Sequence, residues 1–390
     1  MATTTESNNY QKYGVPLYGA AWVPRDAIRS VLLSTDGDGD EASAAEDDVK
    51  SPLIPSYVLL SGGGGPGRSG IPNAVLLAEF DFASNSLSNE PVVKFRTGDD
   101  LPYRMTVHPG GEGLICAMPN SCRWFQWDAS DTNGERELCV RESDNALVQL
   151  EDIGEQLALA FSKDGSMLAA SGEDGKLRVF KWPSMEIIFN KENAHSSVKD
   201  LDFSQDGRFL VSVGSGLCKV WNVTSSEIEV SLSRETDEIF SYCRFSQRSD
   251  GNPVLYTTVI PGKGGCIVTW NTTSWKRIAS KRITGEPVSA FSVSDDAKFL
   301  AIGTIEGDVL VLSSSTMQVQ MTVKKAHLGI VTALMFSHDS RALVSAAMDS
   351  SVRVTIIENK SKNGFPFWLA IVILLLAVTV FLLKTQKLTP

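Results

Sequence analysis

The chain has 390 residues, with 36 Lys and Arg against 46 Asp and Glu, so its formal net charge is −10. It carries no basic surplus that could neutralise phosphates, which argues against a general nucleic-acid-binding protein. Its six cysteines form no CxxC pair and only four histidines are present, so a structural zinc site and a disulfide scaffold are both poorly supported. This cysteine usage indicates a reducing compartment.

The N-terminal part predicts a tail, the first strands and an insertion. Residues 1–12 are polar and lack the apolar core of a signal peptide, so we expect them to form a tail. Alternating runs at residues 17–23, 57–61 and 75–80 predict the strands of a first, degenerate repeat. The acidic tract between the first two runs predicts a disordered surface insertion over residues 35–50, with a docking site for a basic partner as the alternative.

Residues 61–73 form a glycine loop with the sequence Ser-Gly-Gly-Gly-Gly-Pro-Gly-Arg-Ser-Gly-Ile-Pro-Asn. The loop contains GxGxxG and a motif close to a phosphate-binding loop with Arg68 in place of Lys. Both motifs need a helix directly afterwards to hold phosphates. Here an alternating strand pattern follows instead, so we expect this chain to bind no nucleotide itself.

The number of glycines in this loop needs another explanation, because a hairpin requires one or two at most. Glycine permits backbone paths on which successive carbonyl oxygens converge, and neutral carbonyls favour a monovalent cation. The candidate ligands are the backbone carbonyls of Gly62, Gly63, Gly64, Gly65, Gly67 and Gly70. A plain flexible loop is the alternative that the residues leave open.

The middle of the chain is repetitive. Phe-Ser-Lys-Asp-Gly at residues 161–165 recurs as Phe-Ser-Gln-Asp-Gly at 203–207, and Phe-Ser-Gln follows at 245–247. Each motif is followed by further short alternating runs, and Trp or Phe often ends the third. A period near 42 residues with Asp-Gly turns is typical of WD repeats, and we count seven units. The predicted fold is therefore all-β, a seven-bladed WD-repeat β-propeller over residues 13–357.

The sequence leaves the closure of the ring open and assigns two histidines a structural role. The last blade shows no fourth strand, so either the segment near residues 9–13 closes the ring or that blade has three strands. His195 and His327 each follow Ala where such repeats often carry Gly-His. We interpret both as buried histidines that form hydrogen bonds within a blade rather than as bases or ligands.

The C-terminal part predicts a membrane anchor. Residues 365–383 contain nineteen uncharged, almost entirely apolar residues, enough to cross a hydrocarbon core about 30 Å thick. We predict a linker over residues 358–364, one C-terminal transmembrane helix over residues 365–383 and a lumenal tail over residues 384–390. The propeller is expected to face the cytosol, because it precedes the anchor and no signal peptide is recognised.

The seven-bladed pattern, the single anchor and the string that runs from Gly62 to Asn73 together resemble the Sec-twelve family, plant branch. The segment Tyr-Gly-Val-Pro-Leu-Tyr-Gly-Ala-Ala-Trp at residues 13–22 fits as well. The resemblance covers essentially the whole chain. It implies a guanine-nucleotide exchange factor of the endoplasmic-reticulum membrane for the Sar-type small GTPase, which initiates COPII vesicle formation and transport to the Golgi.

The resemblance also implies site residues. It assigns the exchange role to Asn73, partner contacts to Ile71, Pro72 and Asn73, and a structural K⁺ ion to the glycine loop. One departure is Pro66, since family members often carry an acidic residue between the fourth and fifth glycine, and this difference puts ion affinity in question.

Three classes of function remain open on the sequence. The first is the exchange factor. The second is an accessory factor of the same fold for the exit of membrane transporter cargo, of the phosphate transporter traffic facilitator type, without exchange activity. The third is a hydrolase or other enzyme, which we do not expect, because neither a Ser-His-Asp arrangement nor paired carboxylates are recognisable.

Overall fold

In a computed structural model the described part of the chain folds into seven antiparallel sheets, six with four strands and one, in the first blade, with five, because β6 (Val93–Gly98) also pairs with β4 (Asn73–Asp81). The structure describes residues 8–33, 55–67, 69–132, 135–248, 251–357 and 378. One compact unit ends at Ile356, and of the second unit, which begins at Ile357, only Ile357 and Val378 are described. The acidic insertion over residues 35–50, the linker and the lumenal tail lie outside the described residues.

The first three blades contain the α-helix and a short 3₁₀ turn. The elements are β1 (Tyr10–Lys12), β2 (Leu17–Trp22), α1 (Arg25–Leu33), β3 (Ser56–Gly62), β4 (Asn73–Asp81), β5 (Ser86–Leu87), β6 (Val93–Gly98), β7 (Arg104–Val107), β8 (Gly113–Ala117), β9 (Cys122–Thr132), β10 (Glu135–Glu142), a short 3₁₀ turn (Val148–Leu150), β11 (Ala158–Phe161), β12 (Met167–Ser171), β13 (Leu177–Lys181) and β14 (Ile187–Lys191).

The remaining blades follow the same plan. Their strands are β15 (Asp200–Phe203), β16 (Phe209–Gly214), β17 (Leu217–Asn222), β18 (Glu227–Ser231), β19 (Glu238–Gln247), β20 (Pro253–Pro261), β21 (Gly265–Asn271), β22 (Arg277–Thr284), β23 (Val288–Val293), β24 (Phe299–Thr304), β25 (Val309–Ser313), β26 (Val319–Val323), β27 (Val331–Phe336), β28 (Ala342–Ala347) and β29 (Ser351–Ile356).

The sheets form seven blades arranged as a closed ring, which confirms the predicted propeller. The first strands of the blades, β2, β7, β11, β15, β19, β23 and β27, contact one another in that order, and β27 contacts β2 again. They surround a central channel of 670 Å³. Hydrophobic clusters fill the spaces between neighbouring blades, as between blades 4 and 5, where Trp270 is fully buried.

The ring is closed by the chain before residue 13. Strand β1 pairs antiparallel with β29, so Tyr10 lies opposite Arg353 and Lys12 opposite Ser351. The seventh blade therefore has four strands, in the order β1-β29-β28-β27. The sequence analysis assigned residues 1–12 to a tail. That boundary is wrong, because three of these residues satisfy the free edge of β29 with backbone hydrogen bonds.

The structure also adds a helix to the predicted all-β domain. Helix α1 follows Pro24 and lies between β2 and β3, with Asp26 in its first turn. Its Ala27 and Ile28 are buried in the cluster between blades 1 and 2, and the helix contacts β9 and β10. The apolar residues Ala27, Ile28, Val31 and Leu32 recur with helical spacing, and this period distinguishes the segment from a strand.

The two ends of the propeller carry different connections. Because strands alternate in direction within each blade, the connections from the second to the third strand share one end with those that lead to the next blade. We call this end the loop face, since the connection between β3 and β4 is the glycine loop. Helix α1 connects a first to a second strand and therefore belongs to the opposite end.

The predicted structural histidines are buried and form hydrogen bonds within blades. His195 Nε2 lies 2.8 Å from Ser212 Oγ, which also accepts a hydrogen bond from Trp221 Nε1 at 2.8 Å. His327 contacts Ser345 Oγ at 2.8 Å and Ser351 Oγ at 2.5 Å. Each histidine lies in the connection that precedes the first strand of its blade, and these bonds join that connection to the second and third strands. This supports the interpretation of both residues as structural.

No described helix has the length and apolar character needed to cross a membrane. The predicted span over residues 365–383 lies outside the described residues apart from Val378.

The buried histidines predict a loss of stability in mild acid. Burial lowers the pKa of His327 to about 4, and it lowers that of His195 to the same value. Between pH 6.5 and 4 these two histidines therefore bind more protons in the unfolded chain than in the folded chain, and their contribution to stability falls as pH falls. Each such histidine contributes about 1.4 kcal/mol per pH unit. Denaturant midpoints of the full chain at pH 7 and pH 5 measure the loss.

The variant His327→Gln is expected to be less stable at pH 7 and to lose less stability on acidification than the wild type. The exposed His338 provides a matched control, since His338→Gln leaves the buried cluster intact and should retain the wild-type loss. An equal loss in wild type and His327→Gln would contradict the assignment.

Candidate functional site

The glycine loop lies between two buried strands of blade 1. Strand β3 ends at Gly62 and β4 begins at Asn73, and Gly62 pairs with Ala74 across the hairpin. The base of the loop at Gly62 and Gly63 is buried, whereas its far part is exposed. The loop is thus a long excursion from a rigid hairpin, and its base is fixed by the sheet on both sides.

The side chain of Asn73 fastens the loop from inside. Asn73 is only 4% exposed. Its Oδ1 accepts a hydrogen bond from the backbone N–H of Gly65 at 2.9 Å, while its Nδ2 donates to the carbonyl of Gly98 at 3.1 Å and to that of Gly65 at 3.4 Å. The carboxamide therefore uses its acceptor and both donors within blade 1. It connects the fourth glycine of the loop to the end of β6.

The first three glycines are required by close packing. A Cβ on Gly62 would overlap the carbonyl oxygen of Pro16, and one on Gly63 would overlap Oδ1 of Asn73. A Cβ on Gly64 would lie 2.8 Å from the Cβ of Ile71. Side chains cannot occupy such contacts, so the two arms of the loop approach more closely than any other residue type allows.

A backbone hydrogen bond fastens the loop from a neighbouring connection. The N–H of Gly63 donates to the carbonyl of Pro16 at 3.0 Å. Pro16 belongs to residues 13–16, which lead from the closing strand β1 to β2 on the same face. The glycine loop is therefore anchored to its own blade by Asn73 and to the ring closure by Gly63.

The exposed part of the loop presents two apolar side chains. Ile71 and Pro72 are both exposed, although they stand directly before the buried Asn73. The Ser69 hydroxyl accepts a hydrogen bond from the Ile71 N–H at 3.3 Å. A partner that approaches the loop face would meet Ile71 and Pro72, with Asn73 directly beneath them.

The sequence analysis assigned partner contacts to Ile71, Pro72 and Asn73 and the exchange role to Asn73, and the structure separates the three residues. It brings Ile71, Pro72 and Asn73 together, but exposes the first two and buries the third. Sequence reasoning missed Pro16 and Gly98. Both act through backbone carbonyls, which any residue supplies, so no signal in the sequence identifies them.

The donor chemistry of the loop suits a monovalent cation better than a divalent one. The carbonyl oxygens of Pro72 and Ile71 lie beside Gly63 and Gly64, about 3 Å from where their Cβ atoms would stand. The stretch from Ser61 to Asn73 contains no Asp or Glu. Among the described residues, no group of three His, Cys, Asp or Glu side chains is arranged to hold a metal. The oxygen donors that this loop offers are thus neutral ones, mainly backbone carbonyls.

The central channel is also lined by charged side chains, and a cluster of them is paired across blades 4 and 5. Arg244 donates from Nη1 to Asp200 Oδ2 at 2.6 Å, and the same oxygen accepts from the Cys243 N–H at 2.8 Å. Asp202 accepts from the Phe245 N–H at 2.6 Å. Burial raises the pKa of Asp202 to about 6, against the opposing effect of Arg244. These carboxylates connect the first strands of blades 4 and 5, which is a structural role.

The buried carboxamide predicts that Asn73 controls the order of the loop. Asn73→Ala would remove the hydrogen bonds to the Gly65 and Gly98 backbone, which contribute about 0.5–1.5 kcal/mol each. We expect hydrogen exchange in residues 62–72 of the full chain to accelerate about tenfold or more, while exchange in β3 changes little. Mass spectrometry of exchanged peptides measures both.

Ser69→Ala is the matched control, because Ser69 is exposed and, among the described residues, its hydroxyl accepts one long hydrogen bond. It should leave exchange in the loop within about threefold of the wild type. Equal protection of the loop in wild type and Asn73→Ala would show that the carboxamide does not fasten it.

Comparison with known proteins agrees with this architecture. Residues 154–181, 188–222 and 318–355 match the family described as WD domain, G-beta repeat. The chain is 49% identical to SEC12-like protein 2 of Arabidopsis thaliana over 366 residues, which cover 94% of this chain and 92% of that protein.

Two further relatives extend the similarity. SEC12-like protein 1 of Arabidopsis thaliana is 30% identical over 315 residues, or 79% of this chain and 77% of that protein. The guanine nucleotide-exchange factor SEC12 of Mus musculus is 25% identical over 400 residues, or 87% of this chain and 94% of that protein. The resemblance found in the sequence is thereby confirmed, and the chain belongs to the SEC12-like family.

Proposed function

We propose that this chain is a guanine-nucleotide exchange factor for the Sar-type small GTPase and that it acts at the start of COPII vesicle formation. The observation that carries the proposal is the rigid glycine loop, which presents Ile71 and Pro72 above a buried Asn73 that fastens their backbone. The mouse relative is named as a guanine nucleotide-exchange factor, which supports the same activity. The names of the two Arabidopsis relatives state no activity.

Nucleotide exchange depends on the shape of the exchange factor and requires no chemical reaction at its surface. A factor accelerates nucleotide release when it binds the nucleotide-free GTPase more tightly than the loaded one. A rigid protrusion that competes with nucleotide contacts is sufficient, and no acid, base or nucleophile is needed. Because the loop is ordered before the partner arrives, little conformational entropy is lost on binding. In this proposal Ile71 and Pro72 contact the GTPase, and Asn73 positions them.

We further propose that the loop holds a structural K⁺ ion. The residues that would hold it are Gly62, Gly63, Gly64, Gly65, Gly67 and Gly70, through their backbone carbonyls. Their neutral oxygens and the absence of acidic residues from the loop sequence fit a monovalent cation. When bound, the ion would offset repulsion between neighbouring carbonyl dipoles. The positions of Ile71 and Asn73 still depend on the hydrogen bonds of this chain itself.

A nucleotide-release assay tests the exchange proposal. The full-length chain is expected to accelerate the release of a fluorescent guanine nucleotide from the Sar-type GTPase. Gly63→Ala places a methyl group against Asn73 and should lower the rate about tenfold or more, as should Ile71→Asp. Replacing K⁺ by Na⁺ at constant ionic strength should lower the wild-type rate if the ion orders the loop.

Gly67→Ala is the matched control for Gly63→Ala, because a Cβ at Gly67 meets nothing within 4 Å and the backbone carbonyl that would face the ion is retained. It should keep nearly the wild-type rate. If the wild-type chain does not stimulate nucleotide release, the exchange proposal is wrong. Equal rates for Gly63→Ala and Gly67→Ala would show that the geometry of the loop does not contribute to exchange.

We also propose that residues 365–383 anchor the chain in the endoplasmic-reticulum membrane, with the propeller facing the cytosol. Nineteen uncharged residues suffice for one span. All six cysteines are free thiols, five of them buried, which suits a reducing compartment.

Protease protection tests this topology. Protease added to sealed microsomes that contain the full-length chain should digest the propeller and spare an epitope attached after Pro390. A protected propeller with an accessible epitope would reverse the proposed orientation.

A further inference from the structure

We propose that the GTPase docks on an apolar surface of blades 6 and 7 that is continuous with the glycine loop, and that it meets this surface with apolar side chains surrounded by basic ones. This inference rests on the proposed exchange function and extends it from the loop to a docking surface and to the chemistry of the partner.

Four large apolar side chains are exposed on the loop face at the connections of blades 6 and 7. Leu328 is 77% exposed, Met348 is 43% exposed, and Ile305 and Ile330 are each 40% exposed. We call these four residues the apolar arc. Single exposed apolar residues are normal on protein surfaces, but neighbouring ones at one end of a propeller indicate a binding surface.

Backbone hydrogen bonds make the arc one continuous structure. The His327 N–H donates to the Gly307 carbonyl at 3.1 Å, which joins the turn that holds Ile305 to the connection that holds Leu328 and Ile330. The Met348 N–H donates to the Ile330 carbonyl at 3.2 Å, which joins that connection to the next turn. The four residues thus lie on two connections of blade 7 and one turn of blade 6.

The same kind of contact continues from the arc to the glycine loop. The Tyr13 N–H donates to the Ser350 carbonyl at 3.1 Å, two residues after Met348. Residues 13–16 then reach Pro16, whose carbonyl accepts from Gly63. A partner that contacts Ile71 is therefore in position to contact the apolar arc as well, because the arc lies on the same loop face, on the blade 7 side of the glycine loop.

Side-chain hydrogen bonds hold the arc in place. Asp349 Oδ2 accepts from the Leu328 N–H at 2.9 Å, and Asp308 Oδ1 accepts from the Lys325 N–H at 2.7 Å. The backbone beneath Leu328 is therefore fixed, although its side chain is exposed. An ordered backbone under an exposed apolar side chain is a preorganised contact, which reduces the entropy lost on binding.

The charge of the loop face selects the partner. Its described connections hold fifteen Asp and Glu but only six Lys and Arg. In the whole chain the proportion is 46 to 36, so acids are concentrated at this end. A surface with this excess attracts a basic partner and repels an acidic one, and the attraction acts mainly on the association rate. A GTPase that docks here must surround its apolar contacts with Lys and Arg.

Binding of the full-length chain to nucleotide-free Sar-type GTPase tests the surface separately from exchange. Leu328→Asp and Met348→Asp are expected to weaken the affinity at least tenfold. Ile187→Asp is the matched control, because Ile187 is 55% exposed at the start of an outer strand of blade 3, away from the loop face. It should bind like the wild type.

The charge is tested in the same assay. Glu286 is exposed on the loop face, and the carbonyl of the next residue, Pro287, accepts a hydrogen bond from Ile305. Glu286→Lys should slow association several-fold at low salt, and raising the salt concentration should slow association of the wild type and shrink this difference. Thermal unfolding of each variant shows whether the propeller is intact.

The outcomes separate the two proposals. Wild-type affinity for both arc variants, with normal folding, would overturn the docking surface while leaving exchange untouched. Arc-dependent binding without stimulated release would support the docking surface and overturn exchange. No binding by the wild-type chain would overturn both, and association that does not respond to salt or to Glu286→Lys would overturn the basic-partner part.

Discussion

The pairing of β1 with β29 is the constraint on which the remaining structure depends. A propeller is a ring of sheets, and a ring built from one chain must join its last blade to its beginning. Here three residues, Tyr10 to Lys12, supply the outer strand of blade 7. The N–H of Val354 also donates to the Asn9 carbonyl at 2.9 Å, and Arg353 lies over the Tyr10 ring. Without this strand, the edge of β29 would be unpaired.

The closing strand also determines where the candidate site stands. The chain leaves β1 through residues 13–16 and passes directly beneath the glycine loop, where Pro16 accepts from Gly63. The loop is thereby coupled to the closure as well as to blade 1. A glycine-rich loop has high conformational entropy when unrestrained, so its order must come from such contacts. Pro16 and Asn73 supply them on opposite sides of the loop.

The blades could be predicted from the sequence because each one is local. Four short antiparallel strands follow one another, so the 42-residue period contains the whole unit and its turns. The closing strand could not be chosen from sequence, since Tyr10 and Arg353 are separated by almost the full chain. Helix α1 was overlooked because the first blade was interpreted with a strand period, although Ala27, Ile28 and Val31 recur with a helical one.

The candidate site could likewise be predicted from the sequence only in part. Composition singled out the glycine loop, because six glycines in thirteen residues are hard to explain otherwise. Composition could not show that Asn73 faces inward, since its partner Gly98 lies on β6 and acts through a carbonyl. A polar residue at the end of an exposed loop resembles a contact residue, whereas here its side chain turns inward and holds the loop backbone in place.

Pro66 makes sense within this arrangement. It is exposed at the far part of the loop, directly after Gly65, whose φ of +77° is a conformation that glycine adopts easily. Proline fixes its own φ and restricts the residue before it, so it narrows the conformations open to the unfolded loop. An acidic residue at this position would offer a charge to a bound cation but would leave the backbone freer. This chain stiffens its loop through the backbone instead, which favours a protrusion that is already ordered when a partner arrives.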